Sequence, residues 1–328
     1  MPAKKRQSSK IAQIPTTVKS EPAVATAPPT NFKRETKKGK NKVLQVPPPA
    51  PATVAGHNDS TEFPPFIDTI WKTVVLPTLY QRLNSSTSPF LDFAKNSEAL
   101  LENIEAVLTK VFPGHTYTPT RTSYVVKQAC KRITERRGTI ASTAVQIVDQ
   151  FFDSGEFKNN PKAIATYVKW AVKPSGPAFW SRPEPQIESD NAPAQLPDGF
   201  AQSRFVLKTV APFLNVKGAV ADFGNPVGAF GLALGAIERA FSLYETGTKP
   251  NQDNIPEFSG DKNGGMIEDY IHNLKKFSEG RWVRVFADVA KISGIPPKPA
   301  PTTTKVTASV ARVRRDLFTP SSPPPESS

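Results

Sequence analysis

The stretch Ser123-Tyr-Val-Val-Lys-Gln-Ala-Cys-Lys-Arg-Ile-Thr-Glu-Arg-Arg-Gly-Thr-Ile-Ala-Ser-Thr-Ala-Val-Gln-Ile-Val-Asp-Gln-Phe-Phe152 decides the fold. It holds no proline. Set at 100° per residue, Val126, Ala129, Cys130, Ile133, Ile140, Ala144, Ile147, Val148 and Phe151 form one stripe about 100° wide. That period predicts a single long amphipathic helix, whose apolar stripe must be covered by other elements.

The same period continues on both sides. Upstream, Leu101, Ile104, Leu108, Val111 and Phe112 predict a helix that ends at Pro113-Gly114. Ser88-Pro89 has the form of a helix start, with Ser as N-cap and Pro at the first helical position. Before it, Ile67, Ile70, Trp71, Val74, Leu79 and Leu83 predict a helix that Pro77 kinks or divides. Downstream, Asn160-Pro161 starts a short helix carrying Ile164, Val168 and Trp170-Ala171. Residues 173–199 are expected to be an ordered loop, because Phe179 and Trp180 give it apolar surface to bury. Further helices are expected at 200–215, 226–246 and 266–291, with Gly247 as the C′ residue of the second. No alternating strand pattern stands out. The expectation is an all-α domain of seven or eight helices.

Composition marks the limits of that domain. Residues 1–62 carry a net charge of +7, residues 63–292 a net +3 and residues 293–328 a net +3. The two terminal stretches hold 17 of the 34 prolines, but only Phe32 and Phe318 among the aromatic residues. Segments so poor in large apolar side chains cannot offset their ordering entropy by burial, so both are expected to be disordered tails. The helical domain is expected at 63–292, long enough to bury a core. Cys130 is the only cysteine, which excludes an intrachain disulfide and favours a reducing compartment. The opening Pro-Ala-Lys-Lys-Arg has no apolar run behind it, so no secretory leader is expected. The apolar run Phe223 to Ile237 is too short to span a bilayer and is expected to be a buried helix.

Several core segments occur together in one order: Val111-Phe-Pro-Gly-His-Thr-Tyr117, Glu135-Arg-Arg-Gly-Thr-Ile140, Phe151-Phe152, Tyr167-Val-Lys-Trp170, Gly176-Pro-Ala-Phe-Trp180, Gln202-Ser-Arg-Phe205, Gly224-Asn-Pro-Val-Gly228, Glu238-Arg-Ala-Phe241 and Tyr244 to Gly247. In this order and spacing, residues 66–290 resemble a helical domain family common in mushroom-forming (basidiomycete) fungi, a domain of unknown function. The resemblance implies a helical domain, often with low-complexity or basic flanks, and no catalytic residues to carry over. Gly260-Asp-Lys-Asn-Gly-Gly265 departs from the Phe-Ser-then-helix pattern of that family and is expected to be a surface loop.

The candidate functional residues lie mostly in the tails. Lys4, Lys5 and Arg6 form one basic cluster, and Lys33, Arg34, Lys37, Lys38, Lys40 and Lys42 form a second. Compact basic runs of this kind dock on the acidic groove of a nuclear import receptor or on phosphates. Lys19, in Val18-Lys19-Ser20-Glu21, fits an acceptor pattern for small ubiquitin-like modifiers, and Thr319-Pro320 and Ser322-Pro323 fit proline-directed phosphorylation.

Within the core, Lys127, Lys131, Arg132, Arg136 and Arg137 point in several directions around the long helix, unlike a helix that reads a DNA groove. Arg137 falls near the apolar stripe and is expected to pair with a carboxylate, with Glu238 as the expected partner. Phe179 and Trp180 either plug their loop onto the core, the preferred reading, or line a pocket. Cys130 is expected to be a small buried hydrophobe. His57, His115 and His272 are far apart, no Cys/His spacing suits zinc, and no cofactor is expected.

These observations lead to a non-enzymatic nuclear binding or scaffold protein. It would have an unidentified protein partner, an import receptor, and non-specific nucleic-acid contact through the N-terminal tail. A DNA-binding transcriptional regulator acting through the helical core and an enzyme of unassigned chemistry are the alternatives. A cytoplasmic location is the alternative to a nuclear one, and no membrane association is expected.

Overall fold

The computed structural model describes residues 61–186 and 196–294. The expected disorder of the two tails, and every candidate residue in them, lies outside the described residues. Among the described residues the fold is all-α, with nine helices and one two-stranded ribbon.

The predicted long helix is present as α4 (Tyr124–Phe152), and it spans two hydrophobic clusters. Its first half buries Val125, Val126, Ala129 and Ile133 in a core shared with α1 (Pro65–Asp68), α2 (Leu76–Asn84) and α3 (Glu98–Val111). Its second half buries Ile140, Ala144, Val148 and Phe152 in a core built with α5 (Pro161–Ala171), α6 (Arg204–Leu214), α7 (Val227–Ser242), α8 (Gly260–Leu274) and α9 (Glu279–Ser293). One proline-free helix thus ties both halves together. Cys130 is only half-buried, at the edge of the first cluster.

The buried helix expected in the run ending at Ile237 is α7, in which every residue from Val227 to Ile237 is buried. It packs against α4, α6 and α8. Gly231 and Gly235 face α8, where an added Cβ would lie 2.4 Å from Ile271 and 2.5 Å from Ile267. Two glycines one turn apart therefore let these isoleucines pack directly on the α7 backbone.

Side-chain caps open three of the helices, among them the start expected at Asn160. Ser97 accepts a hydrogen bond from Leu100 N at 3.1 Å, Asn160 accepts from Ala163 N at 3.1 Å, and Ser203 accepts from Val206 N at 3.1 Å.

Other boundaries differ from those expected. Ser88-Pro89 opens turns and no helix. The Ser86 hydroxyl donates to Asp92 and accepts from Ser88 N, which closes the segment on itself, and α3 starts only at the Ser97 cap. Ahead of Pro77, residues Trp71–Val75 form a π-helical turn, and the main break falls at Thr69-Ile70. The helix expected over 266–291 is two helices, separated by Lys275–Phe277, with Ser278 accepting from Arg281 N at 3.3 Å to cap the second. Gly260 to Gly265 is not a loop but the opening of α8, directly after Phe258-Ser259. Asn263 Oδ1 accepts from Ser259 N at 3.2 Å there, and Gly260 packs on Phe90. Helix α7 ends at Ser242, so Gly247 (φ +88°) closes a later turn and is not its C′ residue. Finally, 173–199 contains a strand pair, β1 (Trp180–Arg182) and β2 (Asp198–Phe200), antiparallel with Trp180 opposite Phe200 and Arg182 opposite Asp198.

Candidate functional site

The segment leading into the ribbon is held from both sides. Ala178 N donates to Ala171 O at 3.2 Å, Ala201 N donates to Phe179 O at 2.9 Å, and the Ser203 hydroxyl that caps α6 donates to Ala178 O at 2.6 Å. Phe179 is buried and packs on Tyr270, which plugs the loop onto the core. Trp180 is half-buried, tilted against Phe200, with its indole N–H donated to Pro174 O at 2.6 Å. The two neighbouring aromatics therefore divide the two roles weighed for them: Phe179 plugs, and Trp180 lines a groove.

A cleft of about 480 Å³ lies between the ribbon and α9. That volume suits a small ligand or a single side chain of a partner. Arg182 enters it from β1, and Arg281, Arg284 and Lys291 enter from α9. Two carboxylates share the cleft, and each has a cation of its own. Asp198 pairs with Arg182 directly across the ribbon. Asp288 accepts from Lys291 Nζ at 2.8 Å and from Gln202 Nε2 at 2.8 Å. The Arg182 hydrogen bond, with a second from the Gly199 backbone, holds the Asp198 carboxyl below its usual range.

Arg281 and Arg284, one turn apart on α9, are left without a carboxylate of their own. The Arg281 guanidinium lies 3.8 Å over the Phe277 ring and donates to Phe200 O at 3.5 Å. Burial first, and then the charge of Arg284, pull its pKa below the ordinary value, with Asp198 opposing. Arg284 is exposed and has neither hydrogen bond nor ion pair among the described residues. Two guanidinium groups that disfavour each other, in a cleft whose acids are already engaged, favour an incoming anion. Their planar forks match the oxygens of a phosphate or carboxylate.

A second depression of about 410 Å³ shares Ser181 and Gln202 with the cleft. Tyr167, Pro177, Trp180, Pro183 and Ile292 line this groove, which is more apolar than the cleft. Arg204 covers one end, 4.5 Å over Phe151 and 4.8 Å over Phe205.

The remaining sequence candidates fall elsewhere. The basic clusters Lys4 to Arg6 and Lys33 to Lys42, with Lys19, Thr319 and Ser322, lie outside the described residues. The expected Arg137–Glu238 pair does not form. Arg137 lies 4.7 Å over the Phe90 ring and donates to Pro89 O at 3.2 Å, while Glu238 accepts from Tyr270 at 2.6 Å.

The basic residues of α4 point in several directions. Lys127 and Lys131 are exposed, and Arg132 pairs with Glu135 at 2.8 Å. Arg136 is turned inward, 4.1 Å over Tyr80 and 5.2 Å over Phe213, and donates to Phe213 O at 2.8 Å. His115 stacks on Phe66 at 5.2 Å. Among the described residues no group of three or more His, Cys, Asp or Glu is placed to hold a metal ion, and no helix is long and apolar enough to cross a membrane.

Sequence reasoning missed Arg182, Arg281 and Arg284. A signal was present for two of them. On α9, Trp282, Val285 and Val289 face the core, which leaves Arg284 exposed and Arg281 half-buried beside the core face. No local pattern could bring Arg182 to them.

No protein-family model, curated protein or solved structure matches the chain.

Proposed function

We propose that this protein is a non-enzymatic nuclear binding or scaffold module, a member of the mushroom-type fungal family it resembles. Its helical domain contacts an anionic group on a partner through the cleft between the ribbon and α9. The basic clusters at Lys4 to Arg6 and Lys33 to Lys42 serve an import receptor and add non-specific phosphate contact. The observation that carries this reading is the charge inventory of the cleft: both of its carboxylates are paired, while Arg281 and Arg284 have none.

Isothermal titration of the full chain with inorganic pyrophosphate tests it. R281A/R284A is expected to weaken the site roughly tenfold or more, as loss of charge-assisted hydrogen bonds does. Alanine at Lys33, Arg34, Lys37, Lys38, Lys40 and Lys42 is expected to leave it intact. The reverse pattern would assign anion binding to the N-terminal stretch and remove the domain from the reading. A fluorescent fusion carrying the same alanines is expected to shift from nucleus to cytoplasm, and unchanged nuclear accumulation would contradict the import role.

A further inference from the structure

The cleft and the groove adjoin at Ser181 and Gln202 and carry two chemistries. One end offers two guanidinium groups with no carboxylate of their own, and the other offers Trp180, Tyr167 and two prolines. Phosphorylated Ser or Thr carries about −1.5 to −2 charges and three acceptor oxygens, which suits the first end. Aromatic-lined grooves take proline-rich extended segments, which suits the second. A phosphorylated residue followed directly by proline places both groups within one short stretch of chain.

This chain carries two such stretches, Thr319-Pro320 and Ser322-Pro323, the second followed by Pro324-Pro325. The C-terminal end of α9 lies beside this surface: Ile292 lines the groove and Lys291 lines the cleft, two and three residues before Gly294. Thr319 follows Gly294 by 25 residues, and a chain of that length reaches at most about 80–90 Å. That is ample for a return to a surface that starts two residues before Gly294. Tethering also makes the docking intramolecular, so weak intrinsic affinity suffices.

We propose that the cleft and groove form a docking site for a phosphorylated Ser/Thr-Pro segment, and that residues 318–325 of this same chain are its occupant. The phosphate sits between Arg281 and Arg284, and the following proline packs on Trp180. Phosphorylation then closes the site to outside partners, so the modification regulates the binding proposed above, on which this inference rests.

The test uses fluorescence anisotropy with a labelled peptide of residues 315–325 phosphorylated at Thr319 and Ser322, titrated with the full unphosphorylated chain. The same peptide without phosphate is expected to bind at least roughly tenfold more weakly. R281A/R284A is expected to lose a similar factor, and Ile292→Ser to weaken binding severalfold. Because Arg284 and Ile292 are exposed, these two positions tolerate substitution, and Arg284→Glu alone provides a second variant that leaves Arg281 on Phe277. The chain phosphorylated at both positions is expected to refuse the added phosphopeptide and to sediment at the mass of the unphosphorylated chain.

Equal binding of the unphosphorylated peptide, or undiminished phosphopeptide binding by both R281A/R284A and R284E, would overturn the proposal. A doubled mass on phosphorylation would also overturn it, making a second copy the source of the tail. If pyrophosphate binding depends on Arg281 and Arg284 while the phosphopeptide shows no preference, the anion site stands and only this occupant is wrong.

Discussion

Tyr270 on α8 donates its hydroxyl to Oε2 of Glu238 on α7 at 2.6 Å, and this phenol takes the place at the carboxylate expected for Arg137. Both residues are half-buried in the contact between the two helices. Tyr270→Phe removes the donor and leaves the carboxylate without it, which is expected to cost about 1–3 kcal/mol in urea unfolding. A loss smaller than a few tenths would mean that water replaces the phenol.

The same contact governs alkaline stability. Burial, then the Glu238 charge and hydrogen bond, push the Tyr270 phenol far above its ordinary value of about 10. Burial also raises Tyr80, Tyr167 and Tyr244, the last with help from Asp149. In each case the folded phenol holds its proton more tightly than the unfolded one. The stabilisation is therefore fully present below about pH 10 and is lost as pH rises beyond it. Phenolate absorbance in a pH titration is expected to show these four of the six tyrosines ionising together with unfolding. Smooth ionisation of all six near pH 10, with the fold intact, would contradict this.

Two glycine positions are expected to respond in opposite directions. Gly247 has φ +88°, and an added Cβ would lie 2.1 Å from the Pro161 carbonyl oxygen. Gly247→Ala is therefore expected to destabilise the protein by more than about 2 kcal/mol, from backbone strain plus a clash with backbone. Gly265 lies inside α8 with nothing within 4 Å of an added Cβ. Gly265→Ala is expected to stabilise by about 0.5–1 kcal/mol. Thermal melting of the two variants distinguishes the strained turn from the open helix surface.

Arg136 is expected to tolerate no replacement, lysine included. Its guanidinium lies between Tyr80 and Phe213, donates to Phe213 O, and has its pKa pulled down to about 10, chiefly by burial. Lysine lacks the planar face that stacks on both rings. Arg136→Lys is expected to cost roughly 1–2 kcal/mol, and Arg136→Ala more, by chemical denaturation.

These particulars show where the sequence was legible. The stripe on α4 and the apolar run of α7 were readable because burial of many residues at one period leaves a long, redundant pattern. The first turns of α8 were not, because Gly264 and Gly265 look like a loop when only local propensity is weighed, and it is packing of Gly260 on Phe90 and of Ile267 and Ile271 on α7 that makes them helical. The break between α8 and α9 turned on one residue, the capping Ser278, inside a continuous helical period. The cleft was the least legible feature. Arg182 and Asp198 are sixteen positions apart and meet only through the register of a three-residue strand pair, too short to leave an alternation. The Arg137 expectation had the right chemistry, a guanidinium seeking a partner, and the wrong partner: an aromatic ring and a backbone carbonyl satisfied it instead.

The proposed binding surface of this protein is the face formed by the ribbon and α9. Hydrogen-exchange mass spectrometry of the full chain, with and without saturating pyrophosphate, tests it most directly. Slower exchange is expected in the segments around Trp180–Arg182, Asp198–Phe200 and Glu279–Ser293, and R281A/R284A is expected to abolish it. Protection confined to residues 1–62, or protection that survives the double substitution, would contradict the account.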